Sequence, residues 1–348
     1  MESKKLSLNL VTYNGEKYLP FLAASLKKQT FQDFDLKIID NGSSDKTLDF
    51  LAQFFPENKP ISYKKNLGFS KAHNLLIAWT KEPYLLILNQ DVILNPDYLE
   101  KAVNFLDEHP DASGVMGKIL KWDFTSFNEA SARQAKNKLT NIVDSLGIKI
   151  YKNHRATDIG QGEKDDHKNN EPEEIFGLSG AASFFRKNDL EKIKITLGQG
   201  NGEKHEYFDE DFFAYKEDVD LAYRLRLAGL KTFLLPKIIA YHGRSIGHFE
   251  KNAKQERTIR PSAVKIYSYR NHLFILVKNE FLKNKLKYFC PIFWYEFKKF
   301  AYVLIFERST LKSLPMFFKD YGKMKQKRQF IIKNIRKIKA DELAKWYE

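Results

Sequence analysis

The segment FDEDFFAYKEDVDLAYRLRLAGL, residues 208–230, gathers six acids, Asp209, Glu210, Asp211, Glu217, Asp218 and Asp220, around Phe208, Phe212, Phe213 and Tyr215. A carboxylate walled by aromatics can take a proton from a bound hydroxyl. The same acids in a first helical turn would also stabilise the helix start through its dipole. Asn89-Gln90-Asp91 follows the apolar run YLLIL. One carboxylate and one amide there suit a divalent cation that draws its other oxygens from a diphosphate and water; a capping turn before a helix opened by Pro96 is the other reading. Asp40, in IIDNGSSDKT, can accept hydrogen bonds from a nucleobase or ribose, or can satisfy its own turn amides. His242 follows the apolar stretch Phe233 to Tyr241, where a neutral imidazole could complete a metal shell.

The elements that must position these residues alternate. Residues 6–12 read as a strand, followed after Asn14-Gly15 by Leu19, Leu22, Ala23 and Leu26 at helical spacing. Leu36 to Asp40 is a second strand, with Ser43 or Ser44 as cap for a helix carrying Leu48, Leu51 and Phe55. Ile61 to Tyr63 is a brief strand, Ser70 to Trp79 a helix, Tyr84 to Leu88 a buried strand and 96–108 a helix. This alternation predicts a doubly wound, mostly parallel α/β sheet covered on both faces. Ligands bind beyond the carboxyl ends of such strands, so Thr12-Tyr13-Asn14, Asp40 and Asn89-Gln90-Asp91 should line one crevice. Residues 123–175 are polar, with the run GEKDDHKNNEPEE, and read as a long exposed loop. Order resumes at Ile175-Phe176-Gly177, Ser179-Gly180-Ala181 permits close backbone approach, and a helix is expected from Glu217 to Ala228, stopped by Gly229.

The 348 residues carry a formal net charge of +14, unevenly spread. Residues 251–348 hold 24 Lys and Arg against 8 Asp and Glu, leaving 34 against 36 for the rest. The basicity belongs to a tail that interleaves aromatics with lysines from residue 262 onward, as in YFCPIFWYEFKKFAYVLIF. Its apolar runs fall short of a membrane span, so an α-helical appendage lying in a membrane interface, outside the site, is expected. The division reads as 1–260 catalytic and 261–348 appendage. The single cysteine, Cys290, excludes an internal disulfide framework and a multi-cysteine zinc site. With no signal-peptide pattern at the start, a cytoplasmic location follows, at the cytoplasmic membrane face.

In order, LNLVTYNG, IIDNGSSDKT, NLGFSKAHN, LLILNQDVIL, GLSGAASFFRK, FDEDFFAYKEDVDLAYRLRLAG and the later Tyr269-Arg270-Asn271 resemble the family 2 glycosyltransferases, particularly their bacterial rhamnosyltransferase-like branch. The resemblance spans about residues 5–272 and implies a GT-A, Rossmann-like fold. It implies a nucleotide-binding edge of Thr12, Tyr13, Asn14 and Asp40, with Asn66, Gly68 and Phe69 closing over the nucleoside. Asn89-Gln90-Asp91 occupies the place of the family's Asp-x-Asp, with Asn89 and Gln90 beside the nucleotide, Asp91 as metal ligand and His242 as a second. Asp218 is implied as general base, Glu217 as its neighbour in the acceptor site, and Gly180 and Ala181 as the loop under donor sugar and acceptor. The expected reaction is an inverting transfer from a dTDP- or UDP-linked sugar, rhamnose being the first to test, to a glycan or lipid-linked acceptor in cell-surface polysaccharide synthesis, assisted by Mg²⁺ or Mn²⁺. Asn89 departs from the usual first acid of the motif, which loosens the metal expectation.

Two rivals are weaker. A nucleotidyltransferase needs a glycine-rich basic loop near the N-terminus, and VTYNGEKYLP has no glycine cluster and no arginine. A non-enzymatic nucleic-acid or membrane module fits the tail alone; the slightly acidic first 250 residues do not favour phosphate-backbone binding, so no nucleic acid is expected.

Overall fold

The computed structural model describes residues 4–122, 139–166, 169–198, 202–243 and 260–348. The expected alternation is present from the start: β1 (Leu6–Thr12), α1 (Leu19–Lys27), β2 (Phe34–Asp40), α2 (Thr47–Phe54), β3 (Ile61–Ser62), α3 (Phe69–Trp79), β4 (Tyr84–Asn89), β5 (Val92–Leu94) and α4 (Tyr98–Glu108). Then come β6 (Ala112–Trp122), β7 (Leu139–Ser145), β8 (Ile148–Ile150), β9 (Ala156–Asp158), β10 (Glu173–Glu174), β11 (Ala182–Arg186), α5 (Lys187–Ile193), β12 (Ile195–Leu197), β13 (Lys204–Glu206), α6 (Glu217–Leu227) and β14 (Lys231–His242). Leu85, Leu86, Ile87 and Leu88 of β4 are fully buried, as a strand covered on both faces requires.

The main sheet runs β10-β14-β6-β11-β4-β1-β2-β3, with β5 on β14 and β7 on β6. Neighbours β4, β1, β2 and β3 are parallel, as are β6 and β14, while β11 is antiparallel to both β4 and β6. The carboxyl ends of β1, β2, β4 and β14 therefore share one edge. Because β11 runs the other way, its start lies at that edge too, and Ala182 pairs with Leu88. The doubly wound, mostly parallel expectation holds.

Two local expectations do not. Ser43 and Ser44 do not cap α2, which begins at Thr47 without a side-chain cap; Ser43 instead donates to Asp40, and the Ser44 amide donates to Asn14 Oδ1. Although 161–164 and 169–172 are exposed as expected, the described residues of 139–175 are not one exposed loop. They carry β7 to β10, and Val143, Asp144, Leu146, Ile148 and Ile150 are buried. Residues 123–138, 167 and 168 of that stretch lie outside the described residues.

The chain continues through α7 (Ser262–Lys278), α8 (Leu282–Lys287), α9 (Phe289–Phe306), α10 (Ser313–Phe330) and α11 (Ala340–Ala344). Phe274, Ile275, Met324, Ile331 and Leu343 join the same apolar core as the sheet. Buried charges reinforce the junction. Lys278 pairs with Asp209 and, at 2.6 Å, with Asp220, while Lys327 meets Glu206 at 2.6 Å, Asp211 at 2.7 Å and Asp209. Arg224 and Asn279 complete the shell of Asp220 at 3.1 and 2.7 Å. Ions without water require such partners, so these lysines fasten α7 and α10 to the acidic segment ahead of and within α6.

Candidate active site

A cavity of about 660 Å³ opens at the shared sheet edge. Phe69, Asn89, Asp91, Gly180, Ala181, Glu217, Asp218 and His242 line it, so eight of the residues singled out from sequence are brought together. Thr12, Tyr13, Asn14, Asp40, Asn66, Gly68 and Gln90 are outside its lining and lie at the ends of β1, β2 and β4 and in the turn before α3.

Asp218 stands in the first turn of α6. Gly177 lets that helix come close, because a side chain there would begin 2.2 Å from the Ala222 Cβ. Asp218 Oδ2 then accepts from the Gly180 amide at 3.3 Å, and Oδ1 from the Val219 amide at 2.8 Å. Burial raises its carboxyl above the ordinary value, Asp158 adds to the rise, and the two amides oppose it. Burial also pushes Glu217 up, to about 8, with Asp218 the next cause. Two adjacent carboxyls that resist joint ionisation allow one to accept a proton while the other stays protonated.

A second group lines the same cavity. Pairing of His242 with Val92 across β14 and β5 places Asp91 beside it. Asp91 Oδ1 lies 3.2 Å from His242 Nε2, and Asp144 Oδ2 lies 2.9 Å from His242 Nδ1. Burial opposes a charge on this imidazole, but Asp91 and Asp144 outweigh it and raise it to about 10. Asp144 on the far nitrogen fixes the ring with Nε2 toward Asp91, as a carboxylate behind a ligating histidine does. Among the described residues no group of three or more His, Cys, Asp or Glu could hold a metal by itself. Held charged between the two carboxylates, His242 would have to give up its Nε2 proton before it and Asp91 could take a cation, which would draw the rest of its shell from a diphosphate and water.

The nucleotide edge is more internally satisfied than its expected role suggested. Asp40 is buried and accepts from Ser43 Oγ at 2.5 Å, from the Ser43 amide at 3.1 Å and from Thr12 Oγ1 at 3.2 Å. Its turn-stabilising reading is realised. Gln90 is a prop: Oε1 accepts from the Tyr13 amide and Nε2 donates to the Tyr13 carbonyl, each at 2.9 Å. Asn66 Oδ1 accepts from the Gly68 amide at 2.8 Å. Tyr13 remains largely exposed at the crevice.

The C-terminal helices supply part of the cavity wall, which corrects the placing of the basic tail outside the site. Val264, Ser268 and His272 come from α7, Arg260 from two residues ahead of it, and Tyr295 and Lys299 from α9. Arg155 and Asp158, from the stretch read as a loop, also face the cavity, as does Lys216.

A family model described as glycosyl transferase family 2 matches residues 7–194. The chain belongs to that family. An N-acetylglucosaminyl-diphospho-decaprenol L-rhamnosyltransferase of Mycobacterium tuberculosis is 26% identical over 246 residues, covering 67% of this chain and 74% of the relative, in keeping with the rhamnosyltransferase-like branch. The poly(ribitol-phosphate) beta-N-acetylglucosaminyltransferase TarS of Staphylococcus aureus is 31% identical over 110 residues, 30% of this chain and 19% of that protein. The crystal structure of S. aureus TarS 1-349 in complex with UDP-GlcNAc superposes with a TM-score of 0.53 at 18% identity, over 92% of this chain and 80% of that one. That likeness shows the GT-A fold. The family 2 enzyme is thus a glycosyltransferase.

Proposed function

We propose that this family 2 enzyme moves a sugar, with rhamnose the first to test, from a dTDP- or UDP-linked donor to a hydroxyl of a glycan or lipid-linked saccharide during cell-surface polysaccharide synthesis. The observation that carries the reading is Asp218, half-buried in the cavity with one oxygen on the Gly180 amide, in a lining that also presents Asp91 and His242. The acceptor oxygen bonds to the anomeric carbon as the bond to the diphosphate oxygen breaks, and its proton passes to Asp218, inverting the centre. Glu217 stays protonated beside it, and the small residues Gly180 and Ala181 leave room for the sugar. Mg²⁺ or Mn²⁺ held by Asp91 and His242 would neutralise charge on the departing nucleoside diphosphate.

Incubation with a panel of nucleotide sugars, with and without Mg²⁺ or Mn²⁺, should show release of nucleoside diphosphate from one dTDP- or UDP-sugar. The release should rise with the cation, and Asp91→Ala should abolish that rise. Release from no member of the panel in the presence of any saccharide acceptor would sink the reading.

We also assign residues 261–348 as the region that brings the enzyme to the cytoplasmic membrane face, while α7 and α9 share the walls of the cavity with residues 1–260. No described helix is long and apolar enough to cross a membrane. On α9, however, Phe289, Phe293, Trp294 and Phe297 are each more than half exposed, and Lys298 sits 5.0 Å over the Trp294 ring. An aromatic face edged with lysine suits an anionic headgroup layer. Wild-type protein should float with phosphatidylglycerol-containing vesicles, whereas a variant carrying Phe293→Ser, Trp294→Ser and Phe297→Ser should remain at the bottom. Equal flotation of the two would overturn the assignment.

A further inference from the structure

Tyr269-Arg270-Asn271 stands apart from the other matching segments, being the one for which neither the cavity nor the nucleotide edge provides a use. All three residues are buried in α7. Arg270 Nε and Nη2 donate to Asn271 Oδ1 at 3.1 and 3.0 Å. An arginine only donates, so the amide oxygen faces it and the amide nitrogen faces away. That nitrogen lies 2.9 Å from the Phe212 carbonyl oxygen, 3.0 Å from that of Ala214 and 2.8 Å from that of Tyr215. Arg270 Nη2 adds a bond to the Asp211 carbonyl, and its guanidinium lies 5.0 Å from the ring centres of both Tyr267 and Phe274.

The segment so held is unusual. Phe213, Tyr215 and Lys216 have φ of 61°, 70° and 66°, a region that residues with a Cβ adopt seldom and keep only where the surroundings over-determine it. Both ends of the segment touch functional parts of the molecule. The Phe213 carbonyl accepts from the Phe69 amide at 2.7 Å, and its ring is stacked on Tyr267. It also crowds Gly68, where a Cβ would begin 2.6 Å from the Phe213 ring. At the other end Lys216 leads directly into Glu217 and Asp218. The turn thus joins the start of α3 to the start of α6, and the carbonyls of Phe212, Ala214 and Tyr215 converge on one side chain.

We propose that Asn271, oriented by Arg270, is a positioning residue that holds the 212–216 turn in its left-handed conformation and thereby sets Asp218 against Gly180 in the cavity. The proposal rests on the sugar-transfer reading for its kinetic consequence, but not for its structural one. Asparagine suits the task because it accepts from the guanidinium with one end and donates with the other. Aspartate keeps the size and the acceptor and loses the donor; alanine loses both.

The test compares Asn271→Asp and Asn271→Ala with Leu106→Ala, a fully buried position on α4 remote from the turn. In the Asn271 variants, hydrogen exchange of the 212–218 amides should rise by about tenfold while β1 and β4 keep their protection. Their kcat should fall by about a hundredfold, with affinity for the nucleoside diphosphate staying within about threefold. The Leu106→Ala protein, assayed below its own melting range, should keep kcat and the protection of 212–218. Unchanged exchange in both Asn271 variants would overturn the proposal. So would a kcat loss no larger than that of Leu106→Ala at a matched loss of stability. Should wild-type protein release nucleoside diphosphate from no donor, the proposed function falls and the exchange measurement alone decides the role of Asn271.

Discussion

Asp218→Asn is expected to lower transfer by about a hundred- to ten-thousand-fold while the protein stays folded and still binds nucleoside diphosphate. The amide has the shape of the carboxylate and keeps an oxygen for the Val219 or Gly180 amide, yet it cannot take the acceptor proton. Stability separates this loss from misfolding. Burial and Asp158 raise the Asp218 carboxyl, so at pH values above the unfolded carboxyl's value the folded state pays a penalty to ionise it, and asparagine removes that penalty. The variant should therefore melt no lower than wild type at neutral pH. In wild type, activity requires the ionised form, so kcat/KM should fall with decreasing pH along a limb lying above the ordinary carboxylate range, and the limb should vanish with the residue. Turnover near wild type, or a melting point that drops together with activity, would remove Asp218 from this role.

Lys327→Ala is expected to lower unfolding free energy by about 3–5 kcal/mol at neutral pH, the usual consequence of leaving buried charge without its partner. Lys327 is fully buried among Glu206, Asp209 and Asp211. Burial opposes its charge, and those three carboxylates more than offset this, raising it above its ordinary value. Asp209 is the counterpart: burial would raise it, but Lys278 and Lys327 hold it well below the ordinary value. A depressed carboxyl contributes stability that is present above its unfolded value and lost as pH falls toward the folded one. Without Lys327 that contribution shrinks, so the gap between variant and wild type should keep its full size from neutrality down to about pH 5 and narrow as the solution is acidified below pH ~4. Urea midpoints at several pH values measure this; a gap under about 1 kcal/mol at neutral pH would place the lysine among surface pairs of little consequence.

Much of the sheet and half of the site could be read from sequence because strand, turn and helix follow one another at short range. β1, β2 and β4 end in Thr12, Asp40 and Asn89, within the segments expected to form the crevice. Other features depend on partners that composition cannot pair. Asp144 sits in a polar stretch whose charge density suggested a loop; its meaning appears only when β7 joins β6 and brings it to His242. The excess of lysine in the tail suggested a helix lying against anionic lipid, but Lys278 and Lys327 find their counterions in residues 206–220. Asn271 leaves the faintest mark, since its partners are backbone carbonyls, which every residue has. Arg155, Asp158 and Lys216 reach the cavity from irregular or short segments where no periodicity marks a face.

The buried lysines of α7 and α10 also constrain how the gene could be recombined. The family match ends at residue 194, yet Glu206, Asp209, Asp211 and Asp220 beyond it draw counterions from Lys278 and Lys327. A crossover that imported a foreign C-terminal third to acquire a new acceptor would strand those acids unless it carried the whole of 206–327 together. Exchange between related enzymes is thus confined to junctions outside that interval, and diversification within it must proceed by coordinated point changes.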